Sequence, residues 1–229
     1  MLPSQPILVQ PRIETGRMPQ GQGFGAGLGI SAVPMGVCMP FARNAEIYAE
    51  EDAAEYLYTV VTGAVRAYKL LNDGRRQIGA FYLPGDVFGV EAGASHRFSA
   101  EAVTDSTITV VKRSAIEALA ARDSELAHRL WIMTARHLER AQEHMLLLGR
   151  KNAHERIATF LLDMAQRHGS AQNAVELPMS RQDIADYLGL TIETVSRTMT
   201  EMAHAATIEL RSARRVVLRN RAALARLDA

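Results

Sequence analysis

Between residues 45 and 111 apolar residues come in short runs, broken by turn-forming clusters at Gly63, Asn72-Asp73-Gly74, Pro84-Gly85-Asp86 and Thr104-Asp105. Runs of that length bounded by Gly, Pro, Asn and Asp predict strands joined by tight turns, hence a small β-barrel or sandwich. In the clearest hairpin Val65 and Ala67 alternate with Arg66 and Tyr68, Asn72-Asp73-Gly74 reverses the chain, and residues 77–82 return. One face of that pair should be core. Past Arg113 the period changes: Leu126, Leu130, Met133, His137, Ala141, His144 and Leu148 follow steps of four and three, flanked by Leu138 and Met145. That spacing predicts a long helix with one apolar seam. Nothing between Arg122 and Leu148 interrupts it, and the seam outruns one small barrel. A second copy of the same helix is expected to cover Leu126, Leu130, Met133, His137, Ala141, His144, Met145 and Leu148. The alternative is an amphipathic helix packed on its own barrel. His137 and His144 read as packing or hydrogen-bonded residues of the seam rather than as ligands.

After Gly149-Arg150-Lys151-Asn152 a second helix is predicted over 153–166, burying Ile157, Phe160, Leu161 and Met164, with a glycine stop at His168-Gly169. A polar loop over 170–173 follows. The stretch from Leu177 to Arg197 then reads helix, turn, helix. Ser180 caps the first helix with Asp183 three places on, Ile184, Ala185 and Leu188 form its buried face, and Gly189 permits the turn. Thr191 caps the second helix, with Thr194 and Val195 inside it. A helix presented this way can lie in the major groove of DNA, which puts Ile192, Glu193, Ser196 and Arg197 on the reading face. Glu193 and Arg197, at i and i+4, are also spaced for an intrahelical ion pair. Two β-prone runs around residues 211–215 make a wing, whose Arg211, Arg214 and Arg215 suit phosphates. Ser180, Arg181, Thr191 and Thr194, near helix N-termini, are further candidates for phosphate; Ser180 has capping alone as its alternative role.

Residues 1–40, with Gly21, Gly23, Gly25, Gly27 and Gly29 in one stretch, carry little periodic apolar signal and read as a mobile arm. The expected organisation is therefore an arm at 1–40, a barrel at 41–121, a dimerisation helix at 122–149 and a winged helix-turn-helix unit at 150–229. Net charge over the whole chain is only +1, but twelve basic residues stand against nine acidic ones from position 150 onward. That modest excess agrees with a polyanionic partner without requiring one. Cys38, the only cysteine, excludes an intrachain disulfide and fits a reducing cytoplasm. No leader-like segment opens the chain and no apolar run reaches the ~18–20 residues of a membrane helix, so a cytoplasmic location away from membranes is expected. No Ser/His/Asp set, phosphate-cradling Gly loop or metal-spaced cluster stands out, which leaves an enzyme reading unsupported. The terminal Leu227-Asp228-Ala229 reads as a tag for turnover.

The segment Leu188-Gly189-Leu190-Thr191-Ile192-Glu193-Thr194-Val195-Ser196-Arg197 resembles the recognition element of the FNR and FixK branch of the cyclic-AMP receptor protein superfamily. The resemblance spans about residues 45–220. It takes in the hairpins, the Pro84-Gly85-Asp86-Val87-Phe88-Gly89 turn, the long helix, Ala153-His154-Glu155-Arg156-Ile157-Ala158 and the winged unit. It implies an α+β fold: an N-terminal cyclic-nucleotide-binding-like jelly-roll barrel, a dimerisation helix and a C-terminal winged helix-turn-helix. It further implies a homodimer on double-stranded DNA that touches RNA polymerase, often in oxygen or nitrogen control. The family's Glu-x-x-Ser-Arg triplet falls on Glu193, Ser196 and Arg197, which in relatives read a TTGA half-site. A four-thiolate iron–sulfur cluster is excluded by the single cysteine. Cyclic-nucleotide binders carry an Arg-Ser pair where this chain has Ser95-His96-Arg97-Phe98-Ser99-Ala100-Glu101, and no histidine stands in a context that marks a haem ligand. A regulator active without cofactor is the expectation; a ligand-gated regulator of the same fold, responding to haem-bound gas or a cyclic nucleotide, is the alternative.

Overall fold

The computed structural model describes residues 36–167 and 173–228. Eight strands build the N-terminal unit: β1 (Val37–Phe41), β2 (Glu46–Tyr48), β3 (Tyr56–Thr62), β4 (Val65–Leu70), β5 (Arg76–Tyr82), β6 (Val87–Phe88), β7 (Ser99–Ala102) and β8 (Ser106–Lys112). They pair antiparallel as two four-stranded sheets, β1-β8-β3-β6 and β2-β7-β4-β5. Tyr48, Tyr58, Val60, Val65, Phe88, Ala100 and Ile108 form one buried apolar cluster of this jelly roll. The hairpin turn lies where Asn72-Asp73-Gly74 puts it: the Leu71 amide donates to Arg75 O at 2.8 Å and Gly74, at φ +83°, donates back to Leu71 O. Val65 and Ala67 are buried as expected. Arg66 between them is buried as well, which an exposed outer face would not produce.

The expected arm is too long by one strand. Residues 37–41 pair with β8, so Cys38 sits in a sheet with its Sγ 3.4 Å from Thr109 Oγ1 instead of in a loose segment. The glycine repeat at 21–29, the stop at His168-Gly169, most of the polar loop and Ala229 lie outside the described residues.

A short helix α1 (Arg113–Ala120) ends before Asp123, whose carboxylate accepts the Glu125 and Leu126 amides and starts α2 (Ser124–Arg150). The apolar seam read from the sequence faces this chain itself. Leu126 is fully buried with Leu57, Val87, Val111 and Ile116, and Leu130 and Met133 pack on the same cluster. His137 meets the Tyr82 ring edge-on at 6.5 Å, His144 stacks on Tyr187 at 4.1 Å, and Leu148 packs against the C-terminal core. Of the expected seam, only Ala141 and Met145 are exposed. A second stripe, about a third of a turn round the helix, faces solvent: Trp131 (73% exposed), Leu138 (59%) and Met145 (65%), seven residues apart.

The C-terminal unit comprises α3 (Ala153–Arg167), β9 (Ala174–Glu176), α4 (Arg181–Leu188), α5 (Ile192–His204), β10 (Ile208–Leu210), β11 (Arg215–Leu218) and α6 (Arg221–Asp228). Its core gathers Ile157, Phe160, Leu161, Met164, Ile184, Leu188, Val195 and Met199. The wing is a three-stranded sheet, β10-β11-β9. The closing helix α6 has no counterpart in the sequence reading. Its Leu224 is buried, and Lys151 Nζ and Thr159 Oγ1 hold Asp228 at 2.7 and 2.6 Å, so the expected turnover tag is tied to Lys151 in the hinge between α2 and α3 and to α3 itself.

Candidate nucleic-acid interface

α4 begins on a complete capping box: Ser180 Oγ accepts the Asp183 amide at 3.1 Å, and the Asp183 carboxylate accepts the Ser180 amide at 3.0 Å. Burial raises the Asp183 pKa, but the Ser180 hydroxyl and amide, followed by the Arg66 and Arg76 guanidiniums, outweigh it and hold the carboxyl below its ordinary range. The helix stops at Gly189, which is left-handed at φ +62°. A Cβ there would also approach Leu148 to 3.3 Å and Arg156 Nη1 to 3.4 Å.

Arg156 explains how the turn is fixed. Its guanidinium donates to Leu188 O (2.7 Å), Leu148 O (2.9 Å) and Lys151 O (2.8 Å). One side chain thus satisfies the end of α2, the hinge and the end of α4. Thr191 Oγ1 accepts the Thr194 amide at 3.2 Å and starts α5. Val195, Thr198, Met199 and Met202 turn into the core, which leaves Ile192, Glu193, Ser196 and Arg197 on the outer face, all exposed.

The structure brings those four together, and it differs from the sequence reading in what holds them. No Glu193–Arg197 ion pair forms among the described residues. Glu193 bends back to the helix start, where its own amide and the Thr191 hydroxyl lower its pKa. Arg197 is exposed. Ser180 Oγ is committed to Asp183, accepting its amide and donating to its carboxylate at 2.7 Å. Arg181 is half-buried with its guanidinium on Met199 Sδ, and burial lowers its pKa. Both side chains thus engage the protein itself in this structure. Thr191 is exposed and Thr194 half-buried. On the wing, Arg211, Arg214 and Arg215 are exposed; Arg211 pairs with Glu209 at 3.1 Å and Arg215 with Glu176 at 3.5 Å.

Between the barrel and α2 lies a cavity of about 420 Å³ lined by Tyr48, Phe88, Glu91, Arg97, Phe98, His137 and Arg140 among others. A cyclic phosphate needs several donors at one point. Arg97 is available and exposed, but Phe98 follows it, with its ring over Gly79, and Glu101 is turned onto Arg66 at 2.7 Å. The Arg-Ser pair that would hold a cyclic phosphate is therefore not in place. Among the described residues no group of three or more His, Cys, Asp or Glu is placed to hold a metal, and no helix is long and apolar enough to cross a membrane.

A jelly roll joined by a long helix to a winged helix-turn-helix with an exposed reading face is the architecture of a DNA-binding regulator. Residues 155–227 match the Crp-like helix-turn-helix domain and residues 38–123 the cyclic nucleotide-binding domain. The chain belongs to the cyclic-AMP receptor protein/FNR family of DNA-binding transcription regulators. Within that family it is a FixK-type regulator. It is 56% identical to the nitrogen fixation regulation protein FixK of Azorhizobium caulinodans, covering 89% of this chain and 81% of the relative. Identity to FixK of Rhizobium meliloti is 48%, over 75% and 77% of the two chains. The solved structure of FixK2 from Bradyrhizobium japonicum superposes with a TM-score of 0.82 at 55% identity, covering 85% of this chain and 98% of that one.

Proposed function

We propose that this chain is a homodimeric transcription activator that reads a twofold-symmetric TTGA-N6-TCAA operator and acts in oxygen- or nitrogen-responsive gene control. The observation that carries the reading is the exposed set Glu193, Ser196 and Arg197 at the start of α5. Arg197 has the reach for a bidentate contact to guanine, and Glu193 accepts from cytosine N4 or adenine N6. Thr191, Thr194, Arg211, Arg214 and Arg215 contact the phosphates that set register, while Ser180 caps α4 and Arg181 lies against Met199 of α5. Two copies meet through Trp131, Leu138 and Met145, the apolar heptad stripe the single chain leaves uncovered. As an activator the dimer contacts RNA polymerase, and it needs no cofactor to present α5.

Half-sites six base pairs apart have centres about one helical turn, roughly 10 base pairs, from each other, as a twofold dimer requires. The test is spacer length. Purified protein should lose its preference for the operator when the spacer grows by about half a turn, roughly 5 base pairs. Undiminished affinity for the longer spacer would mean that each copy binds alone, against the dimeric reading.

A further inference from the structure

The barrel grips the DNA-binding unit directly, away from the hinge. Asp183, at the start of α4, accepts from Arg66 Nη1 at 3.0 Å and from Arg76 Nη2 at 2.7 Å. Arg76 Nε donates to Asp186 Oδ2 at 2.8 Å, one turn further on, and Gln77 Nε2 reaches Tyr187 O at 3.3 Å. The second amino group of Arg66 pairs with Glu101 on the neighbouring strand. The side chains of Arg66 and Asp183 retain 8% and 5% of their exposure. Arg167 closes the far side of the contact on Asp86 and Phe81 O, and the ring of Phe81 lies 5.2 Å from that of Tyr187.

Buried ion pairs of this kind add little net stability because both charges lose water, but breaking one leaves the other uncompensated, so they discriminate sharply between arrangements. The arrangement selected here is the angle of α4 to the barrel. α4 and α5 are joined by three residues, Gly189 to Thr191, and share one core, so fixing α4 fixes α5. We propose that Arg66 and Arg76 are positioning residues, an intrachain ion-pair latch that sets the orientation of the reading helix on the barrel without any ligand in the barrel. The inference rests on the reading of α5 as the DNA-recognition helix. It assigns the β4–β5 hairpin the part that an effector molecule would otherwise play.

The test compares the native chain, Arg76→Glu, and Arg76→Glu combined with Asp186→Arg, which restores opposite charges at the 76–186 pair and gives Asp183 a new cation on its own helix in place of Arg76. Each is measured by scanning calorimetry and by anisotropy on operator DNA at fixed salt. The latch predicts that Arg76→Glu splits a single unfolding transition into two and weakens operator binding by roughly tenfold or more, the scale of a typical conformational coupling. The double substitution should recover both. Arg76→Gln serves the same purpose, with a smaller expected loss, if Arg76→Glu does not fold. Operator affinity within about twofold of native for Arg76→Glu, or a loss that Asp186→Arg does not recover, would overturn the proposal. Equal binding of the native chain to operator and scrambled DNA would speak against the DNA reading instead; calorimetry needs no DNA and still decides whether the latch couples the two units.

Discussion

Replacing Leu138 by Glu tests the dimer face where it is narrowest. Leu138 is 59% exposed in the single chain and lies midway between Trp131 and Met145 on the uncovered stripe of α2, so its exposed area is what a partner copy removes from water. Burying a whole leucine side chain is worth ~1.5–3 kcal/mol, and about three fifths of that is available here, about 1–2 kcal/mol for each copy. Twofold symmetry counts the loss twice, giving ~2–4 kcal/mol, or a dimer dissociation constant raised roughly 30- to 700-fold. Two carboxylates brought face to face add to the penalty. Sedimentation equilibrium over a concentration series reads the change directly, and circular dichroism should be unaltered because the side chain supports nothing in its own chain. Leu126→Ala is the contrasting perturbation. Leu126 is fully buried against the barrel, so truncation should cost ~2–5 kcal/mol of fold stability before it touches association. A Leu138→Glu protein that dimerises with native affinity would refute the assignment of this stripe.

Arg197→Ala should cost roughly 1–3 kcal/mol on the operator and relax the preference at one base position, whereas Arg214→Ala should weaken all sequences alike and lower the salt slope by about one; indistinguishable profiles across an operator panel would remove the division between reading and anchoring. His144 is pushed by burial from its ordinary 6.5 down to about 4, so the unfolded chain takes up its proton first as pH falls. Stability should be complete above pH 6.5 and decline toward pH 4. His144→Phe, which keeps the stack on Tyr187, should flatten that decline in urea titrations; an unchanged pH profile would show that His144 is not its source. Gly189→Val forces a branched side chain into a left-handed turn beside Leu148 and Arg156 and should cost more than the ~1–2 kcal/mol of the backbone conformation alone, read as a shift in the urea midpoint.

Local grammar was legible and tertiary phase was not. The Asn72-Asp73-Gly74 reversal, the Ser180 capping box, the Gly189 stop and the Thr191 cap are each decided by residues a few positions apart, and each forms as the residues dictate. The α2 seam was harder because the helix carries two apolar stripes. Their spacings are equally helical, and only the position of the barrel tells that Leu126, Leu130 and Met133 face inward while Trp131, Leu138 and Met145 face out. The Glu193–Arg197 pair failed for a different reason: the carboxylate is taken by its own amide and by the Thr191 hydroxyl at the helix start. Arg66 and Arg76 gave no signal at all. An arginine in a strand reads as solvent-facing until the carboxylate that covers it, more than a hundred positions away in Asp183, is brought alongside by the fold. Arg156 was visible only as part of a familiar hexapeptide, and its role follows from three carbonyls on separate elements.

With no ligand in the barrel, α5 should read a specific DNA sequence. Fluorescence anisotropy of the purified, ligand-free protein on a duplex bearing TTGA and TCAA six base pairs apart, against a scrambled duplex at equal salt, tests it most directly. A preference for the operator of about 1000-fold or more is the predicted result. Equal weak binding to both duplexes would contradict it.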